Sequence, residues 1–166
     1  MDVRRVFFPN ATWENVLANI QGANLVVYMG HGYGWPSPYT KVLTESRQNR
    51  MGLNSFAGSG KSQYTYYGAN LLKQYVTLAP NAIVFLNHLC YSAGNAEPGM
   101  AIPSWDVARQ RVGNMANGWL AVGAKAGFAY PHQQFIRTLR QLVNTPDMTV
   151  EQIFRTPGAK PIPYFG

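Results

Sequence analysis

Cysteine is almost absent from this chain, which has Cys90 alone among 166 residues. A lone cysteine excludes an intrachain disulfide, so redox chemistry does not identify the compartment in which the protein acts. The opening residues show no secretory signal pattern, and no apolar run is long enough to cross a membrane, so we expect no membrane span. Hydrophobic residues still make up 46% of the chain and aromatics 13%, a composition that excludes a disordered protein.

Acidic residues are also scarce, at 7 against 14 Lys and Arg, which leaves a net charge of +7. The basic residues are scattered along the chain, whereas nucleic-acid binders usually concentrate them on one stripe with stacking aromatics. We therefore expect no nucleic-acid partner. The small share of charged residues, 13%, beside many Gly, Asn and Tyr is typical of an extracellular or cell-surface protein, although compartment and oligomeric state stay open.

Short apolar runs alternate with amphipathic stretches, a pattern typical of a parallel sheet covered by helices. It predicts one α/β domain over residues 1–166, a three-layer sandwich with a mainly parallel sheet of about four strands. The predicted strands are Asp2–Phe8, Asn24–Gly30, Ala82–Leu89 and Ala124–Tyr130. The predicted helices are about Trp13–Ile20, capped by Asn10 or Thr12, then Tyr67–Ala79, Ser104–Val122, Gln133–Val143 and a short one begun by the capping-box pair Thr149 and Gln152.

More than thirty residues rich in Gly, Ser, Asn, Tyr and Pro separate His31 from the second predicted helix. A loop of that length in a compact domain is often functional, and it leaves the sheet at the carboxyl edge, where open α/β folds bind ligands. The "AGSGKS" run, residues 57–62, lacks the first glycine of a phosphate-binding loop and has no strand before it, which excludes nucleotide binding there. The aromatics of the long loop favour packing over ligand contact.

The apolar run "NLVVYMG" ends on His31, and the run "AIVFLNHL" ends on Cys90. Parallel neighbouring strands end at the same edge of a sheet, so we expect His31 and Cys90 to lie side by side. An imidazole that holds or takes the proton of a thiol converts it into a nucleophile. Gly32 permits close backbone approach, and its N–H together with that of Cys90 is a candidate oxyanion hole.

Three stretches resemble the caspase-like clan of cysteine peptidases, which includes caspases, metacaspases, legumains and gingipains. "MDVRRVFFPNATWENVLANIQGANLVVYMGHG" is similar to the passage from the second strand of that fold, through a helix, to the strand that ends in His-Gly. "AIVFLNHLCYSAGN" is similar to the strand that carries the nucleophilic cysteine, and "GWLAVGAKAGFAY" to the helix-to-strand passage after it. The resemblance covers roughly Asp2 to Asn144.

The resemblance implies a caspase-like, flavodoxin-like topology and a cysteine endopeptidase that acts on peptide or protein substrates without a cofactor. Cys90 would be the nucleophile, His31 the proton-transferring partner, and Gly32 an oxyanion donor with Cys90. Trp35, Asn87 and Ser92 are weaker candidates for substrate binding. The first, central strand of the family and its helix have no counterpart, so we expect an N-terminally truncated fragment of a longer protein.

Two alternatives remain open. The first is a non-catalytic caspase-like module that binds a protein or polymer partner at the cell surface. The second is a metal-binding domain, because His31, His88, Cys90 and His132 all lie at the carboxyl ends of predicted strands and N/S ligands suit zinc. The chain lacks the close ligand spacing typical of zinc sites, so our prediction assigns no metal.

Overall fold

The computed structural model describes residues 2–130 and 135–155 of the chain. Its helices are α1 Trp13–Ile20, α2 Ala69–Tyr75, α3 Trp105–Leu120, α4 Phe135–Asn144 and α5 Val150–Arg155. Its strands are β1 Leu25–Met29, β2 Gly32–Tyr33, β3 Arg50–Asn54, β4 Tyr64–Tyr67, β5 Ala82–Asn87 and β6 Ala124–Tyr130. The predicted α/β class is confirmed. None of the described helices is both long and apolar enough to cross a membrane.

Within the described residues the parallel sheet has three strands, in the order β1-β5-β6, and not the four that were expected. Strand β1 pairs directly with β5 from Leu25 opposite Ile83 to Met29 opposite Asn87. Strand β6 pairs along the other side of β5. The resemblance implied a missing strand between neighbours, but β1 and β5 are hydrogen-bonded to each other and leave no gap.

The prediction of a strand over Asp2–Phe8 is wrong, because residues 2–7 are irregular and a turn follows them. Val3, Phe7 and Phe8 are 51%, 70% and 52% exposed. The segment does not alternate apolar and polar residues, so it has no apolar face to bury as a strand.

Helices cover both faces of the parallel sheet. On one face, Val84 and Leu86 of β5 pack into the main core with Trp13, Leu72 and Met115 from α1, α2 and α3. On the other, an aromatic layer of Phe85, Phe128, Tyr130 and Phe135 lies between the sheet and α4. Strand β5, in the centre of the described sheet, is buried on both faces. Strand β1, at the edge, is not, since Val27 and Met29 are 43% and 59% exposed.

Local capping signals place the helix starts. Thr12 caps α1, since its Oγ1 accepts from the backbone N–H of Asn15 at 3.3 Å. Thr149 and Gln152 exchange the two hydrogen bonds of a capping box at the start of α5, as predicted.

The apolar residues of α3 are buried only in part. Ala108, Met115 and Trp119 are buried, whereas Trp105 and Val112 are exposed. The difference arises because Arg111, a polar residue, is buried on the inward side of this helix.

The long segment after His31 is not a structureless loop, because it contains the antiparallel sheet β2-β3-β4. Met51 and Leu53 of β3 point into the main core and are buried. Residues that alternate with them, Arg50 and Gly52, lie on the opposite face of this small sheet, which carries the aromatic residues described below.

The deepest polar contact of the core joins this segment to α3. Trp119 and Asn49 are 1% and 0% exposed, and the indole N–H donates to Asn49 Oδ1 at 2.8 Å. We expect Trp119→Phe to lower the free energy of unfolding by about 2–4 kcal/mol, because it leaves a small cavity and a buried amide oxygen without its donor. Urea unfolding followed by circular dichroism measures the change. Trp105→Phe, at an exposed position of the same helix, is the matched control, and a change as small as that of the control would contradict the prediction.

Candidate functional site

The backbone segments that carry His31 and Cys90 lie against each other at the carboxyl edge of the parallel sheet. Met29 and Asn87, the last residues of β1 and β5, are directly paired, and the two reactive residues follow them closely. A Cβ atom placed on Gly32 would lie 2.8 Å from the carbonyl oxygen of Cys90 and 2.4 Å from Leu89 Cδ1. Only glycine fits at this position without a shift of backbone.

The imidazole of His31 does not engage the thiol. Its ring stacks on Tyr64 with centroids 4.7 Å apart, and among the described residues it has no hydrogen bond with Cys90. The backbone of His31 is fixed more firmly, since its carbonyl accepts from Gly52 N–H at 2.9 Å and shares the Tyr28 hydroxyl, 2.8 Å away, with the carbonyl of Gly52. The side chain is exposed, so the firmly held part of this residue is its backbone.

The Cys90 thiol is protonated at neutral pH. Partial burial raises its pKa above the ordinary value, and the negative charge of Glu97 raises it further, while a hydrogen bond from the backbone N–H of Cys90 itself acts in the opposite direction. The free cysteine is half-buried. A thiol of this kind is a weak nucleophile until a base takes its proton.

A cluster of five tyrosines near Cys90 was not predicted from the sequence as part of the site. Tyr33 lies at its centre, with ring centroids 6.0 Å from Tyr39, 5.8 Å from Tyr66 and 6.2 Å from Tyr91. Tyr64 meets Tyr66 edge-on at 5.4 Å. The sequence carries a signal for part of it, because the alternation in "QYTYYG" sends Tyr64 and Tyr66 to one face of a strand.

Glu97 is the acidic residue of this tyrosine cluster. Its Oε1 accepts from Tyr91 Oη at 2.7 Å, and its Oε2 accepts from Tyr39 Oη at 3.0 Å. The hydrogen bond to Glu97 is the largest cause of the raised pKa of Tyr39, whereas burial is the largest cause for Tyr91, followed by that hydrogen bond. Both phenols therefore stay protonated and hold the carboxylate in place.

Arg111 and Asn114 of α3 together donate hydrogen bonds to the loops that follow β1 and β5. The Arg111 guanidinium donates to the carbonyl of Pro36 at 2.8 Å and to that of Asn95 at 3.0 Å. Asn114 Nδ2 donates to the carbonyl of Trp35 at 3.0 Å. Arg111 is 7% exposed, and its burial lowers its pKa from the ordinary value of arginine. The inward face of α3 thus fixes the loop after His31 relative to the loop after Cys90.

The weaker candidates for substrate binding are used largely within the protein. Trp35 Nε1 donates to the carbonyl of Thr40 at 3.1 Å, which anchors the loop. Ser92 is 1% exposed, and its hydroxyl donates to the carbonyl of Leu89 at 2.8 Å. Asn87 is fully buried, and neither polar atom of its amide has a hydrogen-bond partner among the described residues.

The residues proposed for a metal site are not assembled. His88 follows β5 as an exposed residue with a positive φ of 56°, and His132 lies outside the described residues. Across residues 2–130 and 135–155, no group of three or more His, Cys, Asp or Glu side chains is arranged to hold a metal ion. His31, His88 and Cys90 therefore do not form the zinc site considered from the sequence.

A separate apolar cleft of about 250 Å³ lies between α3, β6 and α5. Ser92 and Ala93 line its inner end, but His31 and Cys90 do not border it. It is therefore distinct from the edge where the two reactive residues lie.

Comparisons with protein-family models, with curated proteins and with solved structures found no match to this chain. The case for function therefore rests on the geometry of this edge.

The raised pKa of Cys90 predicts slow alkylation at neutral pH. The iodoacetamide rate should rise with pH through a midpoint above about 8.5, the usual value of a free cysteine. We expect Glu97→Gln to move that midpoint to lower pH, because the neutral amide no longer opposes the thiolate. The rate measured by mass spectrometry from pH 6 to 10 tests this, with Glu14→Gln on the exposed side of α1 as the control. A midpoint below 8 in the unaltered protein would contradict the prediction.

The role of Arg111 gives a second test. Arg111→Met should lower the free energy of unfolding by about 2–4 kcal/mol, because buried carbonyls lose a charged donor. It should also speed hydrogen exchange in the loops around Pro36 and Asn95. Arg109→Met, an exposed position two residues earlier, removes the same charge and is expected to change stability by less than about 0.5 kcal/mol. Equal effects of the two variants would mean that charge alone is responsible.

Proposed function

We propose that this protein is a cysteine-type peptidase in which Cys90 attacks a peptide carbonyl with the help of His31. The observation that carries the proposal is the contact of Gly32 with the Cys90 carbonyl, because it sets the residue after His31 against the residue expected to attack. The long segment that begins there folds into an ordered sheet and not into a mobile loop, which gives the site a firm border.

The proposed reaction begins with transfer of the Cys90 proton to His31. The thiolate then attacks the carbonyl carbon of the substrate, and the electron pair of the C=O bond moves to oxygen. Collapse of that intermediate breaks the C–N bond, the imidazolium gives its proton to the leaving amine, and a thioester remains. Water activated by His31 hydrolyses the thioester and restores the thiol. By resemblance, the N–H groups of Gly32 and Cys90 would stabilise the oxyanion.

One movement must precede the chemistry. The His31 ring has to leave its stack on Tyr64 and turn toward Cys90 Sγ, while the backbone of His31 stays fixed by Gly52 and Tyr28. An exposed side chain changes rotamer on a picosecond to nanosecond scale, so this turn does not limit turnover. Substrate that covers Tyr64 would favour the turned state.

Hydrolysis of a pooled fluorogenic peptide library tests the proposal. Cys90→Ala should abolish cleavage, and His31→Ala should reduce it by about 100-fold or more, the usual contribution of a general base. His88→Ala removes a second exposed histidine near the same edge and should leave the rate within twofold. Cleavage that survives in Cys90→Ala would refute the mechanism.

A non-catalytic binding module is the second candidate. It is favoured by the resting state of the two residues, since the thiol is protonated and the imidazole is stacked on Tyr64. Such a module would bind peptides with an affinity that Cys90→Ala leaves unchanged, and no peptide in the library would be cleaved.

A further inference from the structure

Arg50 belongs to the tyrosine cluster, and its buried Nε has no hydrogen-bond acceptor there. Its guanidinium carbon lies 4.7 Å from the centroid of Tyr33 and 5.3 Å from that of Tyr66, so it lies against both rings, whose centroids are 5.8 Å apart. Its Nε is buried and has no hydrogen-bond partner within the described part of the chain. Arg111, the other arginine on a tyrosine of this cluster, instead donates to three backbone carbonyls.

Among the described residues, no acidic side chain forms an ion pair with Arg50. The ion pairs found in the described ranges join Asp2 to Arg4, Glu45 to Lys73 and Glu151 to Arg155. Glu97 belongs to the same cluster, but its two oxygens are occupied by the hydroxyls of Tyr39 and Tyr91. A half-buried guanidinium that keeps unused donors is costly to the folded protein and well suited to a ligand that supplies oxygen acceptors.

Arg50 lies on the face that leads to the reactive pair. It is opposite Tyr33 in the β2–β3 pairing, and Gly52, two residues along the same face, lies against the Cβ of His31. The pKa of Tyr66, the second ring on Arg50, is raised chiefly by burial and to a smaller extent by neighbouring groups that include Cys90. An extended peptide across this face would therefore reach both Arg50 and Cys90.

We propose that Arg50 is a specificity residue that binds the side-chain carboxylate of an acidic peptide lying across the tyrosine cluster. This inference rests on the proposed action on peptides and deepens it by naming the substrate class. The guanidinium lies against both rings, and its planar set of donors matches the two oxygens of a carboxylate. The carboxylate of Glu97 in the same cluster disfavours a doubly charged phosphate more than a singly charged side chain. The excess of basic over acidic residues in the chain adds to the attraction.

Binding to a chemically inactive form tests the inference apart from catalysis. Cys90→Ser protein is titrated with acetylated, amidated peptides Ala-Ala-X-Ala-Ala, where X is Glu, Asp, Gln or Asn, and the Arg50 Nε–H signal is followed by NMR. We expect each acidic peptide to bind about tenfold or more tightly than its amide counterpart, the usual value of a charge-assisted hydrogen bond.

Arg50→Met should remove that difference and Arg50→Lys should reduce it, because lysine keeps the charge but not the flat pair of donors. Arg109→Met is the control and should leave it unchanged. Circular dichroism confirms that each variant is folded.

Each result supports or overturns the inference. Equal binding of acidic and amide peptides, or an acidic preference that survives in Arg50→Met, overturns it. Inorganic phosphate that binds as tightly as the acidic peptide overturns the assignment to a peptide carboxylate. If the protein with Cys90 intact cleaves no peptide while the acidic preference persists, the peptidase proposal fails and the inference stands. If the protein cleaves peptides without any acidic preference, the peptidase proposal stands and the inference about Arg50 fails.

Discussion

The arrangement of this edge depends on the parallel register of β1 on β5. Five residue pairs, from Leu25 with Ile83 to Met29 with Asn87, make the two strands end at one level. Everything that follows them is then confined to a narrow space, and the contact of Gly32 with the Cys90 carbonyl is the direct result. A side chain at Gly32 would separate the loops, so the strand register and that one glycine together determine where the imidazole and the thiol can meet.

The loops that follow β1 and β5 can pack at this edge only if their buried polar groups find hydrogen-bond partners. Loops at the end of a sheet have backbone carbonyls without partners, and here Arg111 and Asn114 supply donors to both loops from one helix. The arrangement carries a cost, since an arginine is taken largely out of water. Its Nε and one Nη donate to carbonyls, whereas the buried Nε of Arg50 has no acceptor among the described residues. Two arginines, each against a tyrosine of one cluster, therefore have different roles: one has its acceptors within the protein and the other is left to a ligand.

The sequence predicted the elements whose signals are local and strong. Strand Ala124–Tyr130 and helix α3 were placed within two residues, and the capping box of α5 was correct, because period, length and caps agree there. The strand predicted over Asp2–Phe8 is wrong, because that segment is rich in apolar residues but has no apolar face. The prediction also missed the small sheet of β2, β3 and β4, since β2 has only two residues and the alternation of Tyr64 and Tyr66 in β4 does not show which strand pairs with it. The tyrosine cluster and Arg50 depend on that sheet, so no reading of neighbouring residues could assemble them.

In the resting geometry the backbone of His31 is held in position, but neither its ring nor the Cys90 thiol is activated. The fold fixes the backbone of His31 through Gly52 and Tyr28 but leaves its ring on Tyr64, and burial together with Glu97 keeps the Cys90 proton in place. In the proposed peptidase, such a site would carry the two residues on adjacent backbone segments without a permanent thiolate, which limits oxidation of the thiol. The proposed reaction would then require an event that removes the imidazole from Tyr64. A ligand bound by Arg50 would lie near Tyr66, the ring that meets Tyr64 edge-on, so occupation of the cluster and release of the imidazole would involve the same side chains. Under this proposal, binding and chemistry would be linked through one face of a three-stranded sheet.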